Sequence, residues 1–276
     1  ESGPDPSELV ICASIRLIRA IRKRCIMGVI GGMLGYQLLR WIKSDGGTNS
    51  CQGGAYQGRS KLEVLLGKNI WEFLAGKIVI DFGCGDGAEA IEIAQHGASK
   101  VIGIDIREHK LDAARCAARE AGVADRCLFV TEVSEKADVV ISIDAFEHFS
   151  DPARILSLMR QVMKDNGCII IAFGPPWKHP LGGHLFSVFP WAHLVFTEKA
   201  LIRWRQEFKH DGATRFHEVE GGLNQMTVRK FERLVEESDF RFETFETVSI
   251  RPLQWAATSF TREYTTSVVR TRLVEK

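Results

Sequence analysis

No two cysteines in the chain are spaced Cys-x-x-Cys, and seven is an odd number. Neither a disulfide framework nor a zinc ribbon is therefore indicated. Cys12, Cys25, Cys51, Cys84, Cys116, Cys127 and Cys168 suit a reducing, cytosolic compartment instead. An excess of one charge sign is lacking too. With 36 Lys and Arg against 35 Asp and Glu, the net charge is +1, and no basic cluster surrounds residues 174–224. Nothing draws the chain as a whole onto nucleic acid. There is no internal repeat and no low-complexity tract, which argues against solenoids and linker-like chains. A membrane-spanning helix wants about 20 apolar residues. The charge-free run Cys25 to Leu39 has fifteen and is weakened by Gly28, Gly31, Gly32 and Gly35. What remains is an ordinary globular balance, 45% hydrophobic and 26% charged over 276 residues. That length allows one large domain, or one domain with appendages.

The most informative stretch is Val79-Ile80-Asp81-Phe82-Gly83-Cys84-Gly85-Asp86-Gly87. Ile78 to Ile80 reads as a short buried strand. Three alternating glycines follow, and then a helical pattern of Ala88, Ala90, Ile91, Ile93 and Ala94. A strand, a glycine turn and a helix start form a cradle for a nucleoside-bearing ligand. Glycine lets the backbone come close, and the helix start offers free N–H groups. Gly83, Gly85 and Ala88 also satisfy a dinucleotide fingerprint loosely. Asp81 and Asp86 would repel a pyrophosphate, whereas Asp81 suits a cationic amine.

Strand and helix patterns then alternate, which argues for a parallel sheet with helices on both faces. Val101 to Ile104 is the second strand and ends at Asp105, twenty-four residues after Asp81. That acid either accepts hydrogen bonds from the hydroxyls of a ribose or is a solvated strand-end residue. Lys110 to Ala121 is a helix and Cys127 to Val130 the third strand. Asp138 to Ile143 is the fourth, followed by Asp144-Ala145-Phe146-Glu147-His148-Phe149-Ser150-Asp151-Pro152. Ala153 to Met163 reads as a helix, Lys164 to Gly167 as a turn, and Cys168 to Phe173 as the fifth strand. A further helix, Thr227 to Ser238, and two strands, Phe240 to Ile250 and Ser267 to Val274, complete the pattern.

The glycine stretch resembles the first motif of class I S-adenosylmethionine-dependent methyltransferases. The segment after the fourth strand is similar to that of small-molecule members such as the ubiquinone-biosynthesis O-methyltransferases. The resemblance implies a Rossmann-like, doubly wound sheet of seven strands, mostly parallel with the last antiparallel. It implies S-adenosylmethionine as cofactor, held by Asp81, Gly83, Cys84, Gly85 and Gly87, with Asp105 and Ile106 on the ribose side. Glu132 stands where the family has its adenine contact, although the usual aspartate is missing there. Tyr56 and Arg59, before the helical stretch Leu62 to Phe73, stand where family members touch the methionine moiety; otherwise they are surface residues. Asp144 lies beside the transferable methyl.

Acid-x-x-Glu-His holds a divalent metal in some relatives and in small-RNA methyltransferases. The match here is Asp144, Glu147 and His148, with Mg²⁺ or Zn²⁺ as the expected ion; otherwise Asp151 and Pro152 make the stretch a helix-start device. The resemblance casts His148 or His184 as general base, with Asp144 orienting it or the metal. His179 and His184 lie on a Pro/Gly-rich loop that leaves the fifth strand, as metal ligands, bases or loop residues.

The expected organisation is a methyltransferase domain over residues 61–276, with an acceptor-side insertion at 174–224. It is preceded by a 1–60 segment that serves as helical cap or membrane-contact element and linker. Glu1 to Ser7 reads as disordered. Arg16, Arg19, Arg22, Lys23 and Arg24 flank the apolar run and suit an anionic membrane surface. Phe186, Phe189, Trp191, Phe196 and Trp204 either line an apolar acceptor pocket, lie on a bilayer, or pack as a lid. The expected partner is a small, apolar acceptor methylated on oxygen or nitrogen. The alternatives are a metal-dependent RNA methyltransferase, an NAD-dependent oxidoreductase, and a non-catalytic S-adenosylmethionine-binding accessory protein.

Overall fold

The computed structural model describes residues 28–42, 58–219 and 221–276. The expectations placed on Glu1 to Ser7, on Arg16 to Arg24, on Tyr56 and on most of the 1–60 segment lie outside the described residues. The chain begins with helices α1 (Gly32–Ile42), α2 (Lys61–Leu66) and α3 (Ile70–Leu74). Alternation then follows: β1 (Ile78–Phe82), α4 (Ala88–Gln95), β2 (Lys100–Ile104), α5 (Glu108–Glu120), β3 (Cys127–Val130), β4 (Ala137–Ile143), α6 (Pro152–Gln161) and β5 (Met163–Phe173). The insertion carries α7 (Ala192–Val195) and α8 (Glu198–Arg205). The chain closes with α9 (Val228–Glu236), β6 (Phe240–Ser249), α10 (Arg262–Thr265) and β7 (Thr266–Glu275).

The seven strands form one sheet in the order β3-β2-β1-β4-β5-β7-β6. Strands β1 to β5 are parallel, and β7 runs antiparallel to both β5 and β6. The two-residue period of a strand sorts the apolar runs onto opposite faces. Val79, Val101, Val139 and Ile141 pack under α4 and α5 with Ala90, Ile93, Leu111 and Ala114. Ile80, Ile102, Val140 and Ile171 face the other way, among Phe146, Leu156, Phe231 and Phe240. A one-residue slip would invert both faces, so register is strongly specified.

Two local expectations are corrected. The helix expected over Leu62 to Phe73 is split in two, because Gly67 at φ 84° ends α2. The turn Lys164 to Gly167 is enclosed within β5, looped out between the pairs Ala137–Met163 and Val139–Cys168. Asp151 and Pro152 do start a helix: the Asp151 carboxylate accepts from the Arg154 N–H at 3.1 Å, and Pro152 occupies the first turn of α6.

The insertion has a core of its own. Phe186, Phe196 and Trp204 are buried with Trp177, Leu201 and Phe216, and α1 adds Leu39. These aromatics therefore pack as a lid, and those three are not free to lie on a bilayer. Ile30 bridges to Phe196, and α1 packs on α8. Among the described residues, no helix is long and apolar enough to cross a membrane.

Candidate active site

The loop between β1 and α4 holds Gly83, Gly85 and Gly87 at φ 88°, 54° and 82°. All three are left-handed, which favours glycine, but they do different work. The N–H groups of Gly83 and Cys84 both donate to the Ile104 carbonyl, at 2.8 and 3.0 Å, and fold the loop back on β2. A Cβ on Gly83 would lie 2.9 Å from the Ala145 Cβ, and one on Gly87 2.7 Å from the Ala114 Cβ. These two positions serve close packing. Gly85 faces open space, its nearest neighbour being the Arg107 guanidinium at 3.9 Å from the same virtual atom. It leaves bare backbone to a ligand. The Cys84 side chain turns inward against Gly103 and β3, so only its main chain can face the cleft.

Asp81 is 2% exposed, and its Oδ2 has no hydrogen-bond partner in the protein. Burial, reinforced by Glu89, pushes its carboxyl well above the usual range, while Lys61 pulls the other way. Lys61 was not foreseen. It sits in the first turn of α2, behind the cap in which Ser60 Oγ accepts from the Glu63 N–H. Its ammonium lies 2.6 Å from Glu89 and 3.5 Å from Asp144. Burial works against that charge, but Glu89 and Asp144 more than restore it and hold the ammonium above its ordinary value. The Ser-x-x-Glu signature at residues 60–63 marks the helix start, and was the available clue to Lys61.

Asp105 caps the loop from the β2 side. Its Oδ1 accepts from the Arg107 N–H and Nε at 2.9 Å each, and its Oδ2 accepts from the Gly85 N–H at 3.0 Å and Arg107 Nη2 at 2.9 Å. Burial opposes its charge, but these bonds outweigh it and hold the carboxyl below its ordinary value. Ribose hydroxyls would have to displace Arg107 to reach this acid. Arg107→Ala is therefore expected to tighten binding of S-adenosylhomocysteine about two- to fivefold by calorimetry, the worth of a partly exposed ion pair. Unchanged or weaker binding would make Arg107 part of the ligand site. Ile106 is 90% exposed and offers an apolar face beside the cleft. Glu132 is exposed just past β3, and Arg59 is exposed just before Ser60.

At the carboxyl end of β4, Asp144 stands at φ 48° and its N–H donates to the Ala172 carbonyl. Its carboxylate turns to Lys61, and the donor cluster found among the described residues does not include it. His184 replaces it. Donor atoms of Glu147, His148 and His184 all lie within 4.8 Å of one another. His148 Nδ1 donates to the Gly222 carbonyl at 2.8 Å, which aims Nε2 elsewhere. The two imidazoles meet edge to face, 5.2 Å between centroids. Glu147 Oε2 and His184 Nε2 are both buried without a hydrogen-bond partner. Burial, and then the Asp144 charge, pushes the Glu147 carboxyl up to about 8. Burial, and then His148, pushes His184 down to about 4. A cavity of about 10 Å³ lies between Glu147, Trp177, His184 and Met226; it has room for one water-sized occupant.

Asn224, also unforeseen, pins this turn. Its N–H donates to the Glu147 carbonyl, and its Nδ2 donates to the Phe146 and Phe149 carbonyls. His179 takes no part: its Nδ1 accepts from the Leu181 N–H at 2.9 Å and fixes its own loop.

A family model for a methyltransferase domain matches residues 58–244, more than half of the chain. The ubiquinone biosynthesis O-methyltransferase of Neisseria meningitidis serogroup A is 32% identical over 145 residues, covering 50% of this chain and 57% of that protein. The enzyme of the same name from Pseudomonas paraeruginosa is 37% identical over 105 residues, covering 36% and 45%. The chain thus spans about half the length of the curated relatives it matches. In fold it is similar to a crystal structure of magnesium protoporphyrin IX methyltransferase from Synechocystis PCC 6803, at 20% identity and a TM-score of 0.52, covering 88% of this chain and 94% of that one. With the glycine cradle, the buried acid behind it and the family match over most of the sheet, the chain belongs to the class I S-adenosylmethionine-dependent methyltransferases.

Proposed function

We propose that this protein moves a methyl group from S-adenosylmethionine to an oxygen or nitrogen of a small, apolar acceptor. The names of the relatives favour oxygen. The observation that carries the reading is the trio of buried Glu147 and half-buried His148 and His184, whose donor atoms lie within 4.8 Å of one another. Gly83 packs on Ala145, two residues before Glu147, which supports reading cradle and trio as one site.

The chain's own residues fit the cofactor. Asp81 presents a buried, unpartnered carboxylate oxygen to a cationic amine. Gly85 leaves room for close approach on its side-chain side, its N–H being held by Asp105, and Ile106 offers an apolar face to a base. When bound, the cofactor supplies an electrophilic sulfonium methyl, so positioning can account for most of the rate. The chain's remaining task is to take the acceptor's proton. His148 can do so, because its Nδ1–H bond to Gly222 leaves Nε2 with a lone pair. Lys61 keeps Asp144 and Glu89 neutralised beside the cleft.

A second reading rests on the same trio. Two imidazoles and a carboxylate, two of their atoms buried without partners, suit a bound Zn²⁺ or similar ion better than Mg²⁺, which prefers oxygen ligands. Such an ion would lower the pKa of an acceptor hydroxyl. Elemental analysis of the purified protein and of Glu147→Gln separates the two. About one zinc per chain, lost in the variant and removed by chelator together with methyl transfer to phenolic acceptors, is the result expected for a metal site. Full transfer after chelation leaves His148 as the base. No transfer to any phenolic, alcoholic or amine acceptor would contradict the proposed function.

A further inference from the structure

Among the described residues, most large exposed apolar side chains lie in two places. On α1, Met33, Leu34 and Trp41 share the face opposite Leu39, with Gln37 as its polar member, and Val29 precedes them. Val29 is 81% exposed, Leu34 68% and Trp41 85%. The inner face of the helix already packs on the insertion, so this outer apolar face is additional. The second place is the β6–β7 connection, where Trp255 is 86% and Phe260 85% exposed. Strand β6 runs parallel to β5, so this connection leaves the sheet at its carboxyl end, as the insertion does. Both patches therefore belong to elements attached to the site's side of the sheet.

Charge selects the occupant. The chain as a whole is nearly neutral, yet residues 9–44 contain seven Lys and Arg and no acid. Residues 247–262 contain Arg251 and Arg262 and no acid. Arg262 is paired with Glu232, and Arg251 is exposed. Among the described residues of α1 the cation is Arg40, which pairs with Glu207. Exposed apolar side chains that include tryptophan, in stretches of sequence whose charges are all cationic, match an anionic bilayer surface. A second copy fits less well, because a two-fold contact would bring two acid-free, cationic segments together.

We propose that the α1 face and the β6–β7 connection dock the protein onto anionic lipid, so that the acceptor site opens towards the membrane surface. Binding is shallow, since no described helix can span. The inference stands apart from the chemistry of methyl transfer.

The test is co-sedimentation of the full chain with vesicles of phosphatidylcholine alone and of phosphatidylcholine mixed with phosphatidylglycerol. Two double variants, Leu34→Ser/Trp41→Ser and Trp255→Ser/Phe260→Ser, are run beside it. S-adenosylhomocysteine titration checks that the site is intact, and light scattering gives the oligomeric state. The wild type should bind only the anionic vesicles and release at high salt. Each double variant should bind them about tenfold less or weaker, since two interfacial anchors are lost, with unchanged S-adenosylhomocysteine affinity. Absence of vesicle binding, or binding that neither variant alters, would overturn the proposal. So would a stable dimer that dissociates in the variants without vesicle binding, which would assign the face to a second copy. A wild type that binds vesicles but not S-adenosylhomocysteine would count against the cofactor reading alone.

Discussion

His184→Ala is expected to slow methyl transfer by about 10²–10⁴-fold, the usual worth of one positioned proton-transfer group, and to leave S-adenosylhomocysteine affinity unchanged. The imidazole lies in the trio, and its Nε2 is buried without a partner beside a cavity only one water wide. It does not take part in the hydrogen bonds that shape the glycine cradle, so the effect should fall on transfer and spare cofactor binding. Because φ at this residue is 51°, His184→Asn is the better-tolerated control. His148→Ala should cost a similar factor. The double variant should cost little more than either single change, since residues acting as a unit are not additive. Single-turnover transfer measured beside calorimetry separates the two quantities. Full transfer in both His148→Ala and His184→Ala would remove the trio from the chemistry.

Asp81→Asn should weaken S-adenosylmethionine binding about 10- to 150-fold, the loss of one charge-assisted bond worth about 1.5–3 kcal/mol. The substitution conserves shape but replaces an acceptor oxygen with a donor. The same change should not harm the empty protein. Burial raises the Asp81 pKa, so above the usual carboxylate range the native chain holds a proton that the unfolded chain has released. Stability from this group is then fully present at low pH and falls as pH rises through the window up to the raised value. Denaturation of Asp81→Asn across that window should show a flatter pH dependence than the wild type. Equal cofactor affinity in Asp81→Asn would displace this acid from the site.

The cradle was legible because a backbone at positive φ and a close approach restrict residue type locally, so three glycines after an apolar run carry the geometry with them. The sheet was legible for a similar reason: Val and Ile runs buried on both faces need no distant partner to be recognised. The trio was only half legible. Glu147, His148 and His184 were each named from the sequence, but which of His179 and His184 joins them was open, and the groups that orient them, Gly222 and Asn224, come from the far end of the insertion and were not named. No periodicity encodes such contacts. The pairing of Asp144 with Lys61 was not legible, because a spacing of acid, Glu and His says nothing about φ. At 48° the chain turns the Asp144 carboxylate to Lys61, a residue of a helix that precedes the sheet. Arg107 is a further case: its bonds to Asp105 are two residues away in sequence, yet nothing in the residue types shows that they fill the acid's acceptor sites.

The most direct test of the account is calorimetric titration of the purified chain with S-adenosylmethionine, S-adenosylhomocysteine and NAD. Saturable binding of the two adenosyl ligands at one per chain, with no heat from NAD, is the predicted result. Binding of NAD with neither adenosyl ligand would contradict it and make the Gly83–Gly87 loop a dinucleotide site.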